Sequence, residues 1–308
     1  MLNAPMDILN HHPIRKSNEQ KEAFRADVQS YLKELGYECS LEPCGKDGQN
    51  IVFGSPESAD YLITAHYDTP ATIGIPNVCT PCNALRSRLQ FFISFFLSFG
   101  FSFGSGLLIK AGHVIPGILL ILPIIAFLYL VRNGKPNVNN ANDNTSGVVT
   151  LLEIARTLQP SHRSKVGFVL FDLEEKGLKG STAYRKAHKE ATERQIILNL
   201  DCVGDGDHIL LMPNQKVRKN EKLIARLKYL GGWFGNKQIL TIDKGFCRYN
   251  SDHKNFPLAV GIGAFQKKKG KTYTLDKIHT KQDTNLDIIN VNLLRAALTT
   301  LICGDAVK

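Results

Sequence analysis

The sequence predicts an α/β protein: a single α/β/α domain with a mixed, largely parallel central sheet, interrupted by a transmembrane helical hairpin. Three observations carry that prediction. Short apolar runs alternate with segments of helical period. Several of those runs stop abruptly at an acidic residue or a histidine, as in "YLITAHYD" and "VGFVLFDLEEKG". Between residues 89 and 131 the only charged side chain is Lys110. A chain of 308 residues is long enough to bury a core of this kind.

Taken in order, Glu19 to Leu35 has apolar residues at helical spacing and stops at Gly36, which marks an amphipathic helix. Strands are expected at Glu38–Leu41, Asn50–Phe53 and Tyr61–Asp68. Thr145 to Leu158 reads as a helix with Ser146 available as its cap. Further strands are expected at Val166–Phe171, Gln195–Leu200, His208–Met212, Gln238–Ile242 and Ala259–Phe265. Helices should fill Leu178–His188, Glu221–Leu230 and Val291–Cys303. Strands alternating with helices argue for a sheet covered on both faces. No internal repeat is present.

The inserted stretch begins "LQFFISFFLSFGFSFGSGLLI" and resumes as "VIPGILLILPIIAFLYLV". Each run is near the length that crosses a hydrocarbon core of roughly 30 Å, and the break between them is short. The competing reading is a soluble hairpin, or an apolar lid over a cleft. Ser94, Ser98 and Ser102 repeat every fourth residue, and Gly100 and Gly104 form a GxxxG pair; both spacings let membrane helices approach closely. Pro116 and Pro123 are tolerable in that setting. Arg86, Arg88, Arg132 and Lys135 flank the hairpin. Positive residues stay on the cytoplasmic side, so the body is expected to face the cytoplasm, with residues 89–131 in the bilayer. The body then comprises residues 1–85 and 133–308, and the hairpin residues 86–132.

The net charge of +10 favours anionic surfaces in general. No zinc-finger spacing or aromatic RNA-binding motif accompanies it, so nucleic acid is not an expected partner. The run Lys267-Lys268-Lys269 with Lys271 reads as a solvated loop. Seven cysteines, an odd number with no secretory signal in the polar N-terminal stretch, argue for reduced thiols. Cys79-Thr-Pro-Cys82 has redox or metal spacing, but it lies outside a strand–helix context and no second such pair exists, so the spacing is read as coincidence.

The acidic and histidine residues that end the strands are the chemical signal. His66 and Asp68 close the Tyr61 strand; at i and i+2 they share a face, so Asp68 can steady His66 through its second nitrogen. Asp143 precedes a helix in "NANDNTSG", Glu174 and Glu175 follow Asp172, Asp201 ends "ILNLD", and "IHTKQDT" supplies His279. Oxygen and imidazole donors without thiolates suit a divalent ion of the zinc, manganese or cobalt type. Each piece alone is ordinary: Asn-Asp-Asn is a common turn composition and adjacent glutamates are usually solvated. Their joint occurrence at strand ends is not.

Together "AHYDTP", "NDNTSG", "DLEEKGLKGS", "LNLDCVG", "NSDHKNFP" and "IHTKQDT" give the chain a clear resemblance to metallopeptidase family twenty-eight, the two-zinc aminopeptidases. The likeness covers nearly everything outside the hairpin. It implies two divalent metal ions, expected to be Zn2+. One would be held by His66, Asp143 and Asp201, the other by Asp143, Glu175 and His279, with Asp143 bridging. Glu174 would be the general base and Asp68 the partner of His66, while Asp252 and His253 of "NSDHKNF" are read as structural. The implied activity is that of a membrane-anchored, zinc-dependent exopeptidase that releases N-terminal residues from peptides. Relatives on the same scaffold include glutaminyl cyclases, with one functional zinc, and metal-free receptors or scaffolds. Retention of every ligand speaks against the last, and a single hairpin offers no transport pathway. Two departures stand out. The hairpin replaces a short loop between His66 and Asp143, so it leaves and returns at the rim of the expected cleft. And Ile278 occupies the place of a tyrosine that often steadies the oxyanion; Tyr249 and Tyr273 are the candidates to replace it.

Overall fold

The computed structural model describes residues 2–72, 77–268 and 272–304, the side chain of Ser94 excepted. Lys269 and Lys271 of the basic run therefore lie outside the described residues, as does the side chain of the first serine in the serine repeat. The strands are β1 (Cys39–Pro43), β2 (Gln49–Gly54), β3 (Tyr61–His66), β4 (Val166–Phe171), β5 (Ile196–Leu200), β6 (His208–Pro213), β7 (Gly232–Phe234), β8 (Lys237–Thr241), β9 (Ala259–Lys268) and β10 (Thr272–Thr274). They form one sheet in the order β1-β2-β4-β3-β5-β9-β6-β8-β7, with β10 paired to β9. Its centre is parallel, β3 lying between β4 and β5, and β5 beside β9. The pairs β1–β2, β2–β4, β9–β6 and β8–β7 are antiparallel.

The helices are α1 (Ile8–His11), α2 (Asn18–Glu34), α3 (Ala84–Lys110), α4 (Val114–Asn133), α5 (Gly147–Thr157), α6 (Lys179–Ala187), α7 (Lys189–Arg194), α8 (Gln215–Arg218), α9 (Glu221–Tyr229) and α10 (Ile288–Cys303). Alternation along the strands makes the layers. Ile51, Phe53, Phe168 and Leu170 join Phe24 of α2, Val148 of α5 and Leu294 of α10 in the main core. The intervening Val52, Val169 and Phe171 face the other way, toward Tyr184 of α6 and Phe256. At the start of α2, Ser17 accepts from Gln20 N while the Gln20 side chain accepts from Ser17 N, a reciprocal cap.

Three expectations needed correction. β3 ends at His66: Tyr67 N still donates to Phe171 O at 2.9 Å, but the Tyr67 hydroxyl turns to Asp172 and the Asp68 carboxylate to the amides of Glu174 and Glu175. α5 starts at Gly147 rather than Thr145. Ser146 does not cap it: its hydroxyl donates to Asn142 O at 2.7 Å and accepts from Val203 N at 3.0 Å. The short elements β7, β10, α1, α7 and α8 escaped the sequence because they are too brief to complete one period of a hydrophobic pattern.

The inserted segment is two apolar helices. In the most apolar 18-residue window of each, of mean hydropathy 1.8 for α3 and 2.8 for α4, only 6% is buried. The arms meet where a Cβ on Gly104 would stand 3.0 Å from Leu120 and where one on Gly117 would press against Ser105 and Ile109. A Cβ on Gly100 would meet nothing within 4 Å, and Ser98 and Ser102 are exposed, so among the described residues of the two spacings Gly104 is the one at the contact.

Candidate metal centre

Parallel register brings the ends of β3, β4 and β5 to one edge. His66 pairs with Phe171, and the Tyr61–Ile196 register, continued five residues, sets His66 opposite Asp201. Crevices at the carboxyl edge of parallel strands are where α/β folds place their chemistry. Asp143 arrives from the segment before α5, Glu174 and Glu175 from the turn after β4, and His279 from the loop after β10.

The side chains converge as two groups that share one residue. His66, Asp143 and Asp201 offer donor atoms within 4.8 Å of one another, and so do Asp143, Glu175 and His279. Asp143 faces both: its Oδ1 lies 3.3 Å from His66 Nε2 and its Oδ2 lies 3.0 Å from His279 Nε2. His66 Nε2 is 3.9 Å from Asp201 Oδ1, and His279 Nε2 is 3.5 Å from Glu175 Oε1. Donors about 2.0–2.1 Å from a tetrahedral zinc stand about 3.3 Å apart, so the cluster has the spacing of a coordination shell. His66 and Glu174 also lie together with Glu175.

Electrostatics agree with that spacing. Five carboxylates, of Asp68, Asp143, Glu174, Glu175 and Asp201, crowd two imidazoles. Burial pushes Glu174 well above the usual carboxylate range, and Glu175 and Asp252 add to it against His66. Burial likewise drives Glu175 up to about 7, although His279 pulls the other way. For His279 burial opposes the charge, but Glu175 and Asp143 outweigh it and hold the imidazole at about 9. Asp143 stays below its ordinary range because His279 and His66 outweigh burial. Crowding of this kind is what a divalent cation relieves. Among the described residues neither Nδ1 atom, of His66 or of His279, has a hydrogen-bond partner, and both are buried.

Asp68 stands beside His66, as its spacing suggested, and has further partners. Its Oδ1 lies 3.5 Å from His66 Nδ1, beyond a hydrogen bond. Its carboxylate instead accepts from Glu174 N at 3.1 Å and Glu175 N at 3.2 Å, holding the two glutamates by their backbone. Asp172, the first acid of the run, takes no part in the cluster. Fully buried, it accepts two hydrogen bonds from Lys21 Nζ at 3.0 and 2.9 Å, one from Tyr67 and one from Gln49 N. Asp252 accepts a hydrogen bond from Ser181 and is fully buried.

Three supporting residues were missed in the sequence. Asn144 donates to Leu200 O at 3.0 Å and to His66 O at 3.3 Å, and accepts from Cys202 N and Gly147 N at 3.1 Å. It thus ties both strand ends to α5, so closely that a Cβ at Gly147 would stand 2.6 Å from Leu200 O. Asp283 accepts from Asn142 N at 2.8 Å and Asp143 N at 3.0 Å, bracing the shared acid. It lies within the quoted "IHTKQDT", where only the histidine was singled out. Arg15, fully buried, donates to His12 O, Asn140 Oδ1 and Thr145 Oγ1 behind the cluster. Leu173, Cys202 and His279 adopt φ of 58°, 56° and 60°, a left-handed conformation that costs non-glycine residues about 1–3 kcal/mol each. All three are at or beside the cluster.

A cleft of about 590 Å³ opens over the cluster. Its far wall includes Ser87, Gln90 and Phe91 from the first turns of α3, so the inserted hairpin contributes to the cleft itself. Ile278 and Tyr249 also line it; Tyr249 donates to Asp201 O at 3.0 Å. Tyr273 instead packs its ring against His208 at 5.4 Å.

A model of peptidase family M28 matches residues 130–302, more than half of the chain. Aminopeptidase YwaD of Bacillus subtilis is 37% identical over 86 residues, 27% of this chain but only 19% of that protein's length. Among solved structures, a zinc-dependent exopeptidase from Parabacteroides distasonis superposes with a TM-score of 0.58 at 16% identity, covering 96% of this chain and 94% of that one. Porphyromonas gingivalis glutaminyl cyclase gives 0.61 at 16%, with 98% and 95% covered. The LapA aminopeptidase of Legionella pneumophila gives 0.57 at 13%, with 99% and 69% covered. At these identities the structural likeness speaks for fold alone.

Proposed function

The chain belongs to peptidase family M28, and from that premise we propose that it is a membrane-anchored zinc exopeptidase that removes N-terminal residues from peptides. The observation that carries the reading is Asp143, whose two oxygens face two separate donor groups. His66 and Asp201 complete one group, Glu175 and His279 the other, and each would hold one Zn2+. Zinc bound in such a pair lowers the pKa of a water toward neutrality and polarises a carbonyl.

The chain's own residues do the rest. Glu174, kept beside the cluster by the Asp68 carboxylate, takes the proton of the attacking water and returns it to the leaving amine. Its carboxyl is raised by burial, which suits a group that must both accept and release a proton near neutral pH. Tyr249 lines the cleft, and to take the role Ile278 cannot fill it would have to release its one hydroxyl proton from Asp201 O. The cleft volume lies within the range of small-ligand sites and accommodates the end of a peptide.

α3 and α4 serve as the anchor. Their exposed apolar surfaces and the flanking Arg86, Arg88, Arg132 and Lys135 support an orientation with the body on the cytoplasmic side. Because α3 also walls the cleft, the substrate meets the enzyme at the lipid surface. The test is turnover of a panel of aminoacyl reporters by the purified protein, before and after chelation and zinc add-back, with Glu174→Gln alongside. The variant should keep two zinc ions per chain and lose turnover by at least a hundredfold. Wild-type turnover in the variant refutes the base, and a single zinc with cyclising activity on N-terminal glutamine favours the glutaminyl cyclase scaffold.

A further inference from the structure

The Cys79-Thr-Pro-Cys82 spacing, read as coincidence in the sequence, acquires a third thiol in the fold. Arg248 N donates to Pro81 O at 2.9 Å, which sets Cys82 beside Cys247. Both side chains pack against the same apolar cluster, which includes Leu210, Tyr249 and Phe265. On the other side Cys79 exchanges two backbone hydrogen bonds with Leu275, at 2.7 and 2.9 Å, so the segment is held from both ends. All three cysteines are free and half-buried, within reach of small reagents.

We propose that Cys82 and Cys247 form a reversible disulfide by exchange with a low-molecular-weight disulfide, tying the root of the hairpin to one wall of the cleft. Cys82 is two residues from the start of α3, and Cys247 precedes Arg248, Tyr249 and Asn250, which line the cleft. The bond therefore joins two neighbouring segments that both border the substrate space. The backbone bond between residues 81 and 248 sets the two cysteines on adjacent segments, and a disulfide requires Cα atoms roughly 4.4–6.8 Å apart.

The order of events follows from the surroundings. The neighbouring Cys247 thiol holds Cys82 below its ordinary value against burial, and the Arg218 guanidinium adds to the effect. Arg218 is itself fixed by bonds to Pro213 O at 3.0 Å and Gly245 O at 2.8 Å. Cys247 is displaced upward and keeps its proton. Burial pushes Cys79 up to about 12, which makes it the weaker competitor. Cys82 thiolate attacks one sulfur of the reagent, breaking its S–S bond and expelling one thiolate. Cys247, losing its proton, then attacks the Cys82 sulfur and expels the second thiolate. The two cysteines are oxidised, the reagent is reduced to two thiols, and the two cysteine protons end on those thiols.

The experiment treats the full chain with oxidised glutathione, blocks remaining thiols and maps linked peptides by mass spectrometry. A Cys82–Cys247 link, two hydrogens lighter and reversed by dithiothreitol, is expected. Cys247→Ser should trap glutathione on Cys82, and Cys82→Ser should give neither product. A Cys79–Cys82 link, or an unmodified Cys82 in the Cys247→Ser variant, overturns the assignment. Reporter turnover should fall at least threefold on oxidation, recover on reduction, and be insensitive to treatment in Cys82→Ser. A linked protein that turns over as before overturns the tie to the cleft. That second readout rests on the peptidase reading and the first does not, so the two fail separately.

Discussion

Asp283→Asn tests whether the shared acid depends on what holds it. Asp283 gives both carboxylate oxygens to the backbone, one to Asn142 N at 2.8 Å and one to Asp143 N at 3.0 Å. A hydrogen bond to a charged acceptor contributes about 1.5–3 kcal/mol net. Asparagine keeps one acceptor oxygen, loses the other bond, and turns an amide donor toward a backbone donor. A loss of about 2 kcal/mol in holding Asp143 follows, which corresponds to roughly 30-fold weaker zinc at 1.4 kcal/mol per decade. That falls inside the 10–100-fold range seen when the partners of metal ligands are altered. The assay is competition with a chromophoric zinc chelator, run beside a thermal melt. Zinc affinity within threefold of wild type, with a lowered melting temperature, would mean that Asp283 supports the fold and not the metal, and would refute the reasoning.

Other perturbations give separate checks. Gly180→Ala would press a methyl against the Asp172 carbonyl and within 2.7 Å of Asn50 Oδ1, so denaturant unfolding should report a loss of about 1–3 kcal/mol; a change below about 0.5 kcal/mol counts against the packing described. His188 hydrogen-bonds Glu42 at 2.8 Å and also Glu57. Burial opposes its charge, yet the two carboxylates outweigh it and raise its pKa above 6.5. A value raised by folding adds stability that is complete below the unfolded pKa and is lost as pH rises through the folded one. His188→Gln should therefore lower the melting temperature more near pH 5.5 than near pH 8.5, and equal losses would contradict the sign. Finally, a carbonate wash should leave the full chain with the membranes and release a variant whose residues 84–133 are replaced by a short glycine–serine linker. Release of the full chain would make the hairpin a soluble lid.

Much of the centre could be read from the sequence because strand ends are local events. His66, Asp201 and the Glu174–Glu175 pair each terminate or follow an apolar run, and a one-dimensional pattern reports that. What braces them is not local. Arg15 reaches Thr145 across 130 positions, and Asp68 meets the amides of Glu174 and Glu175 across 106 and 107. Asp68 therefore pointed to His66, its neighbour at i+2 spacing, while its hydrogen bonds lay elsewhere. The same limit applied to the thiols, since Cys247 is separated from Cys82 by half of the sheet's strands. In the hairpin the small residues were visible, but which of them face the partner arm depends on the rotation of each helix, and that placed Gly104, Ser105 and Gly117 inside and Gly100 outside.

Ser87, Gln90 and Phe91 ride on the same stiff rod as Leu107 and Ile109. With a pivot near Asn83, Phe91 sits about 12 Å along the rod and Lys110 about 40 Å, at roughly 1.5 Å per residue. A sway of about 3 Å at the distal tip thus reaches the wall as about 1 Å. A displacement of that tip would then be felt at a wall about thirty ångströms away by leverage alone.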